Sequence, residues 1–169
     1  MYLDLIALDD QSKVWIYQSG TQLPVEIVRN IREDLMNFLK QWTSHNMNLF
    51  TYGNIFHNRF LVLFVDEKYN TAGGCSIDKS VHFIQGLERK YGISLMERKD
   101  VAIMEKAFDE EGEDISSIYT IPLDDLKDAW QSGRVNDDTL VFDNLVKTKS
   151  EFLKKWVVPL KSSWHRRFV

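Results

Sequence analysis

The run Phe60-Leu61-Val62-Leu63-Phe64-Val65 sets the tightest limit on how this chain can fold. Its aromatic and β-branched content favours a strand. Neighbouring side chains in a strand point to opposite faces, so both faces of this one are apolar. Such a strand belongs in the centre of a sheet, covered on both sides. Two helical patterns flank it. Between about 24 and 43, Ile27, Val28, Ile31, Leu35, Phe38, Leu39 and Trp42 recur at the spacing of an amphipathic helix, with Arg29, Arg32, Glu33 and Lys40 between them. Pro24 sits where a first helical turn accepts it. Between about 78 and 91, Val81, Ile84, Leu87 and Tyr91 mark a second buried stripe. Ser76 or Asp78 is placed to cap that helix and Gly92 to end it.

The remaining elements fill in around these. Lys13–Gln18 reads as a strand, and Tyr2 to Leu8 as a further candidate. Leu49–Phe56 and Arg59–Asp66 are separated by His57-Asn58, which predicts a hairpin. Ile93–Met104 reads as a strand broken near Lys99. The order strand, helix, strand, strand, helix, strand is that of a ferredoxin-like sandwich. A strand at Ile118–Ile121, a helix at Leu123–Ser132 closed by Gly133, a strand at Thr139–Phe142, a helix at Lys149–Lys155 and an irregular aromatic tail follow. The expected fold class is therefore α+β: a ferredoxin-like βαββαβ sandwich with a C-terminal α/β extension. At 169 residues, without a Pro-, Gly- or Ser-rich linker, it is expected as a single domain, with its core over about 13–105 and the extension over about 115–169.

Charge is distributed unevenly. Residues 97–143 carry 14 acids against 5 bases, whereas residues 147–169 carry 7 bases and a single acid. The basic tail is expected either to dock on the chain's own acidic segment or to form a patch for phosphate or nucleic acid. No apolar run approaches membrane-spanning length, and the N-terminus lacks the basic and apolar regions of a signal peptide. The one cysteine, Cys75, rules out an internal disulfide framework and fits a reducing compartment, so a cytoplasmic location is expected.

Gly73-Gly74-Cys75-Ser76-Ile77-Asp78-Lys79-Ser80 is close to a phosphate-binding loop, with Gly73, Lys79 and Ser80 in place. Asp78 stands where glycine is required, and its carboxylate opposes an approaching phosphate. "WIYQS", "NRFLVLFVDE", "GCSIDKSVHFI", "DDTLVFDNLVKTK" and "SWHRRF" together resemble a family of small uncharacterised bacterial proteins, found mainly in the Bacteroidetes and often labelled ABC transporter ATPase. The resemblance covers most of the chain from Trp15 onward and implies no mechanism. The label does not fit the residues: there is no intact phosphate-binding loop or signature motif, and "FLVLFVDE" precedes the loop-like segment rather than following it. The chain is not expected to be an ATPase.

Cys75 is the residue with the most obvious nucleophilic chemistry, because a helix start lowers a thiol pKa. His82, His57 and His165 are candidate bases; alternatively Cys75 is small and buried. The scattered histidines offer no metal-ligand spacing, and the pairs Asp124-Asp125 and Asp137-Asp138 read as solvated turn carboxylates, so no metal and no cofactor are expected. An RNA-binding sheet would place stacking aromatics at Val14–Tyr17 and Arg59–Phe64, but the two-sided apolarity of the latter argues that this face is covered. The tail Lys161–Phe168 either grips a phosphate backbone or folds back with Trp164 and Phe168 buried and its arginines paired to acids.

The reading that follows is a binding module for a protein or a small anionic ligand, without membrane attachment. Ser76, Asp78 and Ser80 at the helix start, with Trp164, His165 and Arg166 from the tail, form the expected ligand-binding set. The alternatives are a small enzyme with Cys75, His82 or His165 catalytic, and an RNA contact through the basic tail.

Overall fold

The structure is a computed structural model that describes residues 4–169. The molecule mixes helices with small antiparallel sheets, an α+β architecture. It divides into two compact units: residues up to Glu97 together with Val146–Leu153, and Arg98–Leu145 together with Lys154–Val169. Among the described residues no helix is long and apolar enough to cross a membrane.

In the first unit β1 (Lys13–Gln18), α1 (Val25–Gln41), β4 (Phe50–Phe56), β5 (Phe60–Asp66) and α2 (Gly74–Tyr91) are the main elements. Two very short strands, β2 (Thr43–Ser44) and β3 (Met47–Asn48), precede β4. The sheet order is β1-β5-β4, antiparallel throughout, and every residue of β5 is buried, as its two-sided apolarity predicts. Leu61, Leu63 and Val65 pack with Val28, Ile31, Leu35 and Leu39 of α1 and Ile84 and Leu87 of α2. On the other face Phe152 of α4 (Lys149–Lys155) meets the rings of Phe56 and Phe64 at 5.3 and 5.1 Å. His57 and Asn58 both have positive φ, 52° and 49°, at the centre of a tight turn that the Arg59 amide closes on the Phe56 carbonyl at 3.0 Å.

The ferredoxin-like expectation fails at its fourth strand. That strand, β6 (Asp100–Glu105), does not join the β1-β5-β4 sheet; it lies in a second one with order β7-β6-β8-β9, where β7 is Ser117–Pro122, β8 Leu140–Phe142 and β9 Val157–Pro159. β7 follows β6 in sequence and closes on it as a hairpin, a shorter loop than pairing with β1 would require. The outer edge of β1 is instead met by the later segment: the Val14 amide donates to the Lys147 carbonyl, and Lys13 bridges Thr148. Leu5–Ala7 forms a 3-10 turn where a strand was expected over Tyr2 to Leu8, and Tyr2 and Leu3 lie outside the described residues. Ile93–Lys99 is a loop, its Leu95 and Met96 amides held by the Glu88 carboxylate at 2.6 and 2.8 Å.

The second unit has its own core of Val101, Ile103, Ile121, Leu126, Ala129, Val135, Val141 and Leu160. Its helix α3 (Leu126–Gln131) is shorter than expected, because Leu123–Asp125 forms a 3-10 turn before it. The C-terminal residues expected to be irregular include β9 and two 3-10 turns, Leu160–Ser162 and Trp164–Phe168.

Candidate functional site

The expected ligand-binding residues fall into the two units, with Ser76, Asp78 and Ser80 on α2 and Trp164, His165 and Arg166 in the C-terminal 3-10 turn. Helix α2 starts at Gly74, earlier than the pattern of apolar residues predicts, with Gly73 in extended geometry as its cap. Asp78 is therefore one turn inside the helix, exposed, and not a cap. Cys75 lies in the first turn and is exposed, not buried. His82 is also exposed, on the same helix.

Both serines point into the core stripe. Ser80 donates its hydroxyl to the Ile77 carbonyl at 2.6 Å. The Ser76 hydroxyl is shut off from solvent and has no partner among the described residues, while its carbonyl accepts the Trp42 indole N–H at 2.8 Å. A ligand at the start of α2 would reach backbone amides and exposed side chains, but not these two hydroxyls. One neighbour was missed in the sequence. His45 lies over Gly73, so that a Cβ added there would stand 3.6 Å from the His45 Nε2 and 3.7 Å from the Ser44 Oγ. His45 and Asn46 have positive φ, 50° and 63°, and turn β2 into β3. The signal was present, because the dipeptide His-Asn occurs at both hairpin turns.

The tail residues are tied within their own unit. Ser163 is buried, and its Oγ is 2.6 Å from the His165 Nδ1 and accepts the His165 amide at 3.3 Å. Burial, reinforced by the Arg167 charge, pushes the His165 imidazole down to about 4. At neutral pH it carries no charge, so it offers none to an anionic ligand. The Trp164 ring stacks on His165 at 4.0 Å and meets Phe168 edge-on, with its indole N–H buried and without a partner among the described residues. Arg166 lies 3.3 Å from the Asp137 carboxylate and over the Trp130 ring at 4.7 Å, and Lys161 pairs with Asp138 at 2.7 Å. Two bases of the tail thus dock on acids of the chain itself. Among the described residues no group of three or more His, Cys, Asp and Glu side chains is placed to hold a metal ion.

The most distinctive surface lies elsewhere, on the turn joining β6 to β7. The segment from Glu105 to Asp114 holds Glu105, Asp109, Glu110, Glu111, Glu113 and Asp114 against the single base Lys106. It is not a loose acidic loop. The hairpin continues past β6 through the Phe108–Asp114 bridge, with the Ile115 amide donating to Ala107 at 2.9 Å and the Asp109 amide to Glu113 at 3.0 Å. At the tip the Asp109 carboxylate accepts the Glu111 and Glu113 amides at 3.1 and 2.8 Å, and Gly112 supplies the positive φ of 83°. Two large apolar side chains stand exposed on this frame, Phe108 at 63% and Ile115 at 57%. Phe108 pairs with Asp114 and Ile115 with Ala107, so the two are adjacent in register and project from opposite faces. Sequence reasoning registered the acids but not the hairpin, because Phe108 and Ile115 are isolated apolar residues among charges.

Below this finger β6 and β8 part. They pair only at Ile103–Val141 and Met104–Leu140, and a recess of about 330 Å³ opens beyond, lined by Met104, Lys106, Tyr119, Arg134, Asp138 and Leu140 among others. Arg134 lies over the Tyr119 ring at 5.5 Å. Comparison with protein-family models, curated proteins and solved structures gives no match to this chain.

Proposed function

We propose that this chain is a binding module that engages a basic surface of another protein through the β6–β7 hairpin. The observation that carries the reading is the pair Phe108 and Ile115, exposed on a hairpin tip that its own hydrogen bonds hold in shape. Exposed apolar side chains are ordinary when single. Here two project from both faces of one element, rimmed by Glu110, Glu111 and Glu113. A preformed tip loses little conformational freedom on docking. The carboxylates select a basic partner and speed its approach.

The magnitudes set limits on this contact. Covering the exposed parts of both side chains is worth about 3 kcal/mol, whereas micromolar affinity needs about 8 kcal/mol. Apolar contact is therefore a minor share, and charge and backbone pairing have to supply the rest. The rival readings have less behind them. For RNA contact, Arg166 is already paired and Trp164 is packed against His165. For thiol catalysis, support rests on the exposure of Cys75 in a first helical turn. Kinship with the small bacterial family and a reducing cytoplasmic setting, which fits a single cysteine, belong to the same proposal.

The test compares the tagged wild-type chain with the double variant Phe108→Ser, Ile115→Ser and with Cys75→Ala, as baits in nuclease-treated native cell extract. Both hairpin positions are exposed, so the double variant should fold as the wild type does, checked by circular dichroism. The expected result is a stoichiometric protein held by wild type and by Cys75→Ala, released by salt, and absent from the double variant. Equal recovery on the double variant, or partners seen only before nuclease treatment, would overturn the reading.

A further inference from the structure

We infer that the partner contributes an extended segment, which adds as a strand beside Lys106 and Phe108, the continuation of β6 past its pairing with β8. The inference rests on the hairpin reading above and specifies how the partner is held. Successive backbone amides in a strand point to alternate sides. Ala107 and Asp109 point toward β7: the Ala107 amide donates to the Ser116 Oγ at 3.2 Å, its carbonyl accepts the Ile115 amide, and the Asp109 amide donates to Glu113. The Phe108–Asp114 bridge is consequently of the non-hydrogen-bonded kind. The N–H and C=O groups of Lys106 and Phe108 must therefore point the other way, to the side where β8 stands beside β6.

On that side the sheet runs out. The β6–β8 ladder ends at Met104–Leu140, and beyond Leu140 the chain turns away, with the Thr139 amide bonded to the Asn136 carbonyl. The recess at this point is lined by Met104, Glu105 and Lys106 of the β6 segment, by Asp138, Thr139 and Leu140 facing it, and by Tyr119 of β7 over one face. Among the described residues no strand lies beside Lys106 and Phe108 on this side, and an extended peptide pairs with an open edge of that kind. Glu105 at the recess and Glu110, Glu111 and Glu113 at the tip outweigh Lys106 and Arg134, so the added strand carries basic side chains.

The probe is a fluorescein-labelled peptide of five Arg-Val repeats, with a second peptide of the same sequence N-methylated at every residue. N-methylation keeps charge and side chains but removes the amides that pair along either edge. In the protein, Lys106→Pro removes an amide that bonds nothing among the described residues, a position where an edge strand accepts proline, and Lys106→Ala is its control. Fluorescence anisotropy at about 50 mM salt is expected to show saturable binding of the unmodified peptide. Binding should weaken about tenfold or more on N-methylation and on Lys106→Pro, and change little on Lys106→Ala. The peptide comparison needs no variant, so it decides the matter even if Lys106→Pro misfolds. Equal binding of the two peptides, or no binding of either, would overturn strand addition. If both peptides bind equally and Phe108→Ser with Ile115→Ser abolishes both, the hairpin still docks a basic partner and strand addition alone falls. Sedimentation that reveals a dimer dissociated by Lys106→Pro would give the edge to a second copy of this chain and overturn the assignment to a different protein.

Discussion

Around neutral pH His165 is held without charge in the second unit, with Ser163 against its Nδ1 and the Trp164 ring stacked on its face. Its imidazole takes up a proton only near pH 4, against 6.5 for an ordinary histidine. Above pH 6.5 neither the folded nor the unfolded chain binds this proton. As pH falls from 6.5 toward 4 the unfolded chain gains the proton and the folded chain does not, so stability declines through that window and levels off below it. Between pH 7 and pH 5 the loss is about 2 kcal/mol. Urea unfolding of wild type against His165→Gln should show it as a pH slope that the variant flattens. A histidine resonance titrating near 6.5 and assigned to position 165 would contradict this account. Nothing in the letters around His165 foretold a neutral ring. The SWHRRF motif reads either as a charged grip or as a segment folded back on the chain, and the burial of Ser163 and His165 fits the second.

Between α1 and β4 the fit depends on Gly53. A Cβ there would stand 3.1 Å from Leu39 Cδ1, 3.2 Å from Leu63 Cδ2 and 3.3 Å from Leu35 Cδ1, tighter than most packed carbons, so that the leucines have to give by a few tenths of an ångström. Gly53→Ala should destabilise the first unit by about 1–3 kcal/mol, measured by denaturant unfolding, because three leucines must give way at once. A change below about 0.5 kcal/mol would mean that the helix shifts freely on the sheet. The hairpin turn at His57-Asn58 offers a second measurement. Asn58 has a φ of 49°, which asparagine tolerates and β-branched residues do not. Asn58→Val should cost about 1–2 kcal/mol, whereas Asn58→Gly should hold stability or raise it. Elements with a strong local pattern, such as β1, β5, α1, α4 and the 57–58 turn, were legible in the sequence. The start of α2 was not, because Gly73-Gly74 reads as loop even where it caps a helix. The pairing of β6 was not either, since no local residue pattern says which of two sheets a strand joins. The hairpin finger escaped for a third reason: acids report solvent, not backbone order.

Across the whole molecule the chain completes its first unit only after building most of the second-unit sheet. Val146–Leu153 returns to the first unit, where the Lys147 carbonyl accepts the Val14 amide and Phe152 covers Phe56 and Phe64. Phe152→Ala should therefore cost about 3–5 kcal/mol and lower the unfolding midpoint of the first unit. A chain ending at Glu97 should bind hydrophobic dye through the uncovered face of β5 and lose it when a peptide of residues 146–153 is added. Absence of dye binding would show that the three-stranded sheet protects itself. The same return has a consequence for the newborn protein. Residues 98–153 must be translated after Glu97 before the aromatic face at Phe64 can be closed. At about 5–20 residues per second that is an interval of roughly 3–11 s. During those seconds a nascent chain carries an open apolar sheet, so its yield in the cell is set by what shields that face while translation continues.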